Sequence, residues 1–443
     1  MIFSQINAVA LIMFIEFQVG NFRSFRDVNK FSMQASPLRT NDSGLEEGNV
    51  FENAGMRLLR TKAIYGANAS GKSNLSNALA NFILLVMKSV VEENLLDRIW
   101  SNRFHLISEW DEQPVFFQYI FSLNDKILRY GFQVLKDKIE YEWLYEMQTL
   151  EDIEYFMRGS DGVTINDKYF SEAGLYEEQL LKGDNELFRS DALFLTSIAL
   201  SGNTVAKEIR TEITNIKGLA GINDSVAFNR AVTILDSGTE LQKKVLKDFL
   251  CAADTGIEDL QVMNINNTQS DVASSTQSLS KTVFSVHSVY DENGKKINSI
   301  SVPFDNWESL GTKKLLGVAV FILDTLRNGT ALIVDEFDAR FHPNLTLKIV
   351  QLFQSEKSNP NNAQLIFITH DSSLLRRAKL RRDQICFVLK DKYGISNIKT
   401  LIEYKGVRKD ASYDKEYLEG NYDGIAYLDE LDQVVAQNLQ DGV

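Results

Sequence analysis

Apolar and polar positions change period several times along this chain, and each change marks an element. Residues 14–20 alternate like a strand, and residues 28–35 return as a second one. The polar-aromatic run Asn21-Phe22-Arg23-Ser24-Phe25-Arg26-Asp27 separates them. An acidic, glycine-containing loop at 41–53 leads into a strand at 57–65. From Leu75 the apolar spacing becomes helical, through Leu79, Phe82, Ile83 and Val86, which predicts a helix over 74–91. Period two returns over 114–145, in Val115, Phe117, Tyr119 and Phe121, then Leu128, Tyr130, Phe132 and Val134, then Ile139, Tyr141 and Trp143. Turn-forming Asn124-Asp125 and Lys136-Asp137 divide these runs, so the segment reads as an antiparallel meander with its aromatics on one buried face.

Residues from 151 to about 255 turn mostly helical and acidic, most clearly at 193–198 and 241–249. They lack the sustained heptads of a coiled-coil arm, which excludes a long tethering rod. Asn, Ser, Thr and Gln crowd residues 264–281, as in a surface loop. Residues 282–290 and 296–302, joined by Asp291-Glu292-Asn293-Gly294, read as a hairpin. Two unbroken apolar runs, Ala331-Leu332-Ile333-Val334 and Leu365-Ile366-Phe367-Ile368, have the character of buried parallel strands. The chain therefore reads as α/β with three regions: an N-terminal lobe at 1–150, a helical insert at 151–255 and a C-terminal lobe at 256–443.

Composition narrows the class. With 443 residues, 44% hydrophobic and 24% charged, the chain is an ordinary globular protein rather than a disordered or fibrous one. A net charge of −13 argues against a broad electrostatic hold on nucleic acid. One local basic strip, Arg376, Arg377, Lys379, Arg381 and Arg382, reads either as a DNA contact or as a helix end complementing its dipole. Cys251 and Cys386 lack metal-ligand spacing and read as buried thiols in a reducing cytoplasm. The apolar run at 8–15 is too short to span a bilayer, and no membrane association is expected.

The chemistry concentrates at four places. Gly66-Ala67-Asn68-Ala69-Ser70-Gly71-Lys72-Ser73 has the G-x-x-x-x-G-K-S form of a phosphate-binding loop between a strand and a helix. Its glycines let backbone N–H groups, including those around Asn68, Ser70 and Asn74, turn toward phosphate oxygens. Lys72 supplies a cation for the β- and γ-phosphates, and the Ser73 hydroxyl fits a Mg²⁺ ligand, so ATP with Mg²⁺ is the expected cofactor. Asp335, ending one apolar strand, is placed to hold Mg²⁺, and Glu336 to act as general base on water. His370, ending the other strand, can reach the γ-phosphate or the attacking water as a neutral imidazole. Ser309-Leu310-Gly311 at a helix start makes a further anion site. Such a segment serves a phosphate loop best when two chains dock head to tail, each completing the other's site.

In this order the motifs resemble those of ABC-type ATPases of the SMC/RecF/OLD branch, and more closely the RloA-like ATPases of abortive-infection and phage-defence systems. Asn21-Phe22-Arg23-Ser24-Phe25, Glu308-Ser309-x-Gly311-Thr312, Asp335-Glu336-Phe337-Asp338 and Phe341-His342-Pro343 carry the resemblance, with Thr369-His370-Asp371, Leu380-Arg381-Arg382-Asp383-Gln384-Ile385 and Tyr417-Leu418-x-Gly420-x-Tyr422-x-Gly424. It implies a P-loop NTPase head of ABC type with an antiparallel β lobe and a helical insert, acting as a homodimer or larger homo-oligomer. The signature Ser-Leu-Gly-Thr-Lys-Lys lacks the Gly-Gly-Gln of transporters, and Gln118 is the one stand-in for a Q-loop glutamine. Because only about 70 residues follow His370, the effector, a nuclease or toxin, is expected on a separate chain. Two rivals stay open: a DNA-repair or DNA-maintenance ATPase that binds DNA directly, and a scaffold whose ATP is structural.

Overall fold

A computed structural model describes residues 12–37, 43–159, 162–170, 189–219, 225–253, 255–265, 280–407, 412–425 and 435–436. Two large sheets organise them. The central sheet runs, in spatial order, Lys217–Leu219, Ala331–Val334, Gln364–Ile368, Thr61–Tyr65, Ile385–Lys390 and Ser396–Thr400. Its first five strands are parallel, and the sixth is antiparallel to its neighbour. Parallel strands covered on both faces need apolar residues on both, and successive side chains divide accordingly. Ile64, Ile333, Ile366 and Cys386 enter one core, whereas Ala63, Leu332, Leu365 and Phe387 enter the other.

The strand ending at His370, not the one ending at Asp335, lies beside the loop strand Thr61–Tyr65. Gln364 helps fix that order: its buried amide exchanges hydrogen bonds with the backbone of Phe14, at 2.7 and 3.0 Å, and donates to Leu59 O at 3.1 Å. Because Val334 pairs with Phe367 and Ile368 with Ile64, all three strands still finish at the same edge.

The second sheet is antiparallel throughout, in the order Gly162–Ile165, Ile153–Gly159, Lys138–Met147, Lys126–Leu135, Val115–Leu123, Met13–Gly20 and Asn29–Ser32. Asn124 and Asp125 turn one of its two-residue hairpins with φ of 51° and 63°, left-handed values that match the strand twist. The aromatic face of the first two runs is spent on packing, whereas in the third run Tyr141, 45% exposed, turns outward and Glu142 and Leu144 face in. Phe17, Phe117, Tyr119, Tyr130 and Phe132 surround Phe82 of the helix Lys72–Lys88, and Phe82 stacks on Phe132 at 5.4 Å. Each buried ring contributes roughly 2–3 kcal/mol. The sheet thus clamps the helix that leaves the phosphate loop.

Three stretches differ from the sequence reading. The meander continues to Ile165, where helix was expected from 151. Buried Glu142 explains why: it accepts from the amides of Phe194 and Leu195 and from Tyr130 Oη, and lies 3.5 Å from Arg158, which the added strand carries. The acidic loop at 41–53 contains a helix, Ser43–Asn49, and a strand, Val50–Asn53, paired with Met56–Leu59. Buried Arg60 ends that pairing by donating to Glu47 O and Asn362 Oδ1, so the strand expected at 57–65 is two strands in two sheets.

Helices Phe194–Leu200 and Thr204–Thr214 pack on the meander side. Ser225–Ser237 and Glu240–Ala252 pack instead on the long helix Leu310–Asn328. The hairpin Ser280–Tyr290 with Lys296–Pro303 takes Asp259–Ile265 as a third strand. Most of the polar segment expected as a surface loop, residues 266–279, and the start of the apolar run at 8–15 lie outside the described residues.

The basic strip divides by exposure: Arg376 and Lys379 are exposed, Arg377 and Arg382 are partly covered, and Arg381 turns inward. Arg381 is fully buried, donating to Asp383 at 3.0 and 2.8 Å and to Ser36 O at 2.9 Å, and pairing with Glu46. Arg382 donates to Val407 O and Arg377 to Asn344. Of the thiols, Cys386 is buried and pushed up to about 11 by that burial, whereas Cys251 is only partly covered. Among the described residues, no helix is long and apolar enough to cross a membrane.

Candidate functional site

The loop between Thr61–Tyr65 and Lys72–Lys88 is a preformed cradle. Gly66 has φ 150° and Gly71 φ 109°, both in the left-handed region where a side chain is strained. Space forbids one as well: a Cβ on Gly66 would lie 2.4 Å from Val388 O, and one on Gly71 would lie 2.4 Å from Ser396 Oγ. Ser396 donates to Ser70 O at 2.5 Å and its amide donates to Ser24 O at 2.7 Å, so the edge strand Ser396–Thr400 fastens the loop from outside. Ser24 Oγ in turn accepts from Asn74 Nδ2 at 2.7 Å.

Lys72 is buried, and its ammonium donates to Gly66 O at 2.7 Å and Ala67 O at 2.8 Å. Burial lowers its pKa to about 8, against the upward pull of Asp335 and Asp338. A cation so poorly solvated is poised to take an anion. Among the described residues Ser70 Oγ is buried without a hydrogen-bond partner, an orphaned polar atom inside the same loop. Asn68, Ala69 and Ser73 are exposed along its mouth. These features fit a nucleotide phosphate.

Asp335 lies at the end of its strand with Oδ1 accepting from the Glu336 amide at 2.9 Å and Oδ2 from Ser76 Oγ at 3.2 Å. The carboxylate therefore reaches the loop helix at Ser76, one turn beyond Ser73. Glu336 adopts φ 46°, a strained value for a non-glycine residue. Lys314, from the helix Leu310–Asn328, holds that turn by donating to Glu336 O and Ala339 O, both at 2.9 Å. Strain of about 1–3 kcal/mol held by surrounding contacts is typical of functional turns. Phe337 N donates to Ile368 O at 2.9 Å and His370 N to Asp338 Oδ1 at 3.1 Å, tying the Asp335-Glu336 turn to the His370 strand end. Partial burial, then the charge of Lys72, hold the His370 imidazole below its ordinary range, with Asp338, Glu336 and Asp335 opposing. Lys72, Asp335, Glu336 and His370 thus share one electrostatic environment.

Ser309 and Gly311 sit apart from that group. Ser309 caps Leu310–Asn328, accepting from the Thr312 amide at 3.1 Å, and is exposed. A Cβ on Gly311 would lie 2.5 Å from Arg340 O, so the glycine lets this helix start press against the turn after Asp338. Among the described residues, no hydrogen bond links Ser309 or Gly311 to the phosphate loop of the same chain. Gln118, the Q-loop stand-in, lies on Val115–Leu123 and accepts from Trp143 Nε1 at 3.1 Å, a contact within the meander. His342 caps Pro343–Phe353 through Nδ1, which accepts from the Asn344 amide.

Sequence reasoning misses several supports. Lys314 is legible only as the second lysine of the Lys313-Lys314 pair in the first turns of a largely apolar helix. Arg23 lies within a motif whose pattern assigns it no role. It is exposed at φ 50° and donates to Asn102 Oδ1 at 3.0 Å and Asn74 Oδ1 at 3.4 Å, which stands a guanidinium beside the first turn of the loop helix. Behind the loop, Tyr417 of the C-terminal motif stacks with Phe387, Tyr422 packs against the same ring at a tilt, and Tyr417 meets Tyr65 at 5.5 Å.

A phosphate loop on a parallel sheet, with carboxylates and a histidine at the same edge and an antiparallel lobe over the loop helix, defines a P-loop nucleotide-binding head. The family described as "AAA domain, putative AbiEii toxin, Type IV TA system" matches residues 63–376, and the chain belongs to that family. No curated protein matches it. Among solved structures, the SMC head domain from Thermotoga maritima is similar over 87% of this chain and 98% of that one, at 14% identity and a TM-score of 0.37.

Proposed function

We propose that this chain is a Mg-ATP-dependent ATPase whose working unit is a head-to-tail pair, and that its nucleotide cycle controls a separately encoded effector in an abortive-infection response. The observation that carries the catalytic reading is the division of the site. Lys72, Asp335, Glu336 and His370 cluster around a cradle that is ready for phosphate, while the Ser309 cap faces outward. The Mg²⁺ that accompanies ATP supplies charge neutralisation at the phosphates, with Ser73 and Asp335 the residues that would hold it. Lys72 and Arg23 bring positive charge, Glu336 accepts the proton of the attacking water, and neutral His370 offers a hydrogen bond to it. Ser309 and Gly311 of the second chain close the site. The defence role rests on the family description, and the shape change on the general use of ATP to join and then separate a pair of surfaces.

Burial of Arg381 leaves Arg376 and Lys379 as the exposed cations of the basic strip on which direct DNA binding would rest. Mixing two inactive variants tests the pair. Lys72→Ala and Ser309→Ala each lose turnover alone, but a mixed dimer contains one composite site free of both lesions, so activity should return. If mixing restores nothing while each variant folds and the wild type turns over, the head-to-tail arrangement is wrong. Co-purification with the products of neighbouring genes then tests the effector: a nuclease- or toxin-like partner supports the defence reading, and solitary, DNA-stimulated turnover removes it.

A further inference from the structure

The residue before Ser309 is unlike its neighbours. Trp307 and Leu310 are 62% and 59% exposed, yet the Glu308 side chain between them is only 7% exposed. Its backbone is extended, joining the short helix Phe304–Trp307 to Leu310–Asn328, and its carboxylate turns inward to another element altogether. Oε1 accepts from Ser285 Oγ at 2.6 Å and from His287 Nε2 at 2.8 Å. Ser285 and His287 are two apart on the strand Ser280–Tyr290, so they share one face of the three-stranded sheet. His287 Nδ1 lies 3.0 Å from Gly256 O. His287 Nε2 also lies 3.2 Å from Ser285 Oγ, so the ring bridges the Gly256 carbonyl and the Ser285–Glu308 pair. This tie runs from the Gly256 turn through His287 and Glu308 to the peptide bond that enters Ser309.

We propose that Glu308 is a positioning residue for the Ser309-Leu310-Gly311 turn, latched by Ser285 and His287 so that Ser309 is presented at a fixed angle to a second chain. The proposal rests on the reading of Ser309 as the trans half of an ATPase site. Glu308 touches no nucleotide in this arrangement. Its effect passes through the Ser309 cap, whose bonds to the Thr312 and Lys313 amides depend on where that peptide sits. An untethered turn samples many orientations, and a donor offered at the wrong angle loses most of its value in a transition state.

The test combines kinetics with hydrogen exchange on the full-length chain. Glu308→Ala should lower kcat by about tenfold or more. ATP affinity of the dilute single chain should stay within about twofold, because the phosphate loop is untouched. Exchange at the Thr312 and Lys313 amides should quicken. Glu308→Gln, which keeps an acceptor oxygen for Ser285 and His287, should recover most of the loss, and Ser285→Ala should fall between, which keeps the test usable if Glu308→Ala folds poorly. Unchanged exchange in Glu308→Ala and Ser285→Ala, with wild-type turnover intact, overturns the latch alone. Faster exchange with undiminished kcat overturns the link to catalysis. A wild-type chain that binds ATP but never turns it over, alone or with partners, overturns the ATPase reading itself, and the exchange result still decides whether the latch orders the turn.

Discussion

The phosphate loop and the Ser309 turn both begin a long helix and both carry a glycine pressed against foreign backbone, yet they are built to opposite plans. The loop is held by Ser396 and Ser24 from outside, by Lys72 from within, and by a tyrosine cluster behind. The Ser309 turn is exposed, capped by its own hydroxyl and tied at its flanks, by Glu308 on one side and by Gly311 against Arg340 on the other. A rigid cradle costs nothing to reorganise when phosphate arrives. An exposed donor waits for a surface to meet. On the proposed reading, this difference separates nucleotide binding from nucleotide sensing, with a second copy joining the two.

The sharpest way to break the comparison is at Glu336. Replacing it with Gln removes the proton acceptor and leaves the cradle alone, so turnover should fall by about 10²- to 10⁴-fold while ATP stays bound in a trapped pair. Single-turnover assays with mass measurement check this, and ordinary hydrolysis by Glu336→Gln would remove Glu336 from the mechanism. Next in size is Ser309→Ala. Turnover should drop by about 10- to 10²-fold and stability by about 1 kcal/mol for the lost cap, with single-chain ATP affinity unchanged. A matching loss of affinity would mean that Ser309 serves its own loop, and the division between cradle and sensor would fail. Gly71→Ala should do the reverse: a methyl group at φ 109°, 2.4 Å from Ser396 Oγ, should cost about 1–3 kcal/mol of stability and weaken ATP binding directly. Thermal melts with and without nucleotide separate the two effects.

How much of this is legible in the sequence follows from what one chain segment can encode. Gly66, Gly71 and Lys72 can be read because glycine spacing dictates a local backbone shape, and that shape is found. The meander can be read because period two, with Asn124-Asp125 between runs, specifies register within a hairpin. The order of the parallel strands cannot. The runs ending at Asp335 and His370 are both short and apolar, and only the long-range clasp of Gln364 on Phe14 helps distinguish the central one. The same holds for the supports. Ser396 follows Ser70 by 326 positions and Glu308 follows Ser285 by 23, so neither pairing leaves a periodic trace. Arg381 reads as surface because a charge run looks the same whether solvated or, as here, folded onto Asp383 and Glu46.

The smallest expected effect concerns Lys72 and probes how far the cradle is preformed. Burial holds its pKa at about 8 against an ordinary 10.5, so without nucleotide the folded chain carries a cation more reluctantly than the unfolded chain does. The unfolded state therefore binds more protons between those values, and stability rises with pH across that window. Below pH 8 the penalty is complete, and above 10.5 it vanishes because the amine is neutral in both states. Lys72→Met removes the penalty along with the two bonds to Gly66 O and Ala67 O. The variant should then melt slightly above wild type at pH 7 without nucleotide, and its advantage should shrink as pH rises from 8 toward 10.5. Adding ATP and Mg²⁺ should invert the order at pH 7, because phosphate gives the buried ammonium its partner and only the wild type can use it. A variant that melts below wild type by the same margin at pH 7 and pH 10, with or without ATP, would show that Lys72 is a structural brace for the loop rather than a charge kept waiting for phosphate.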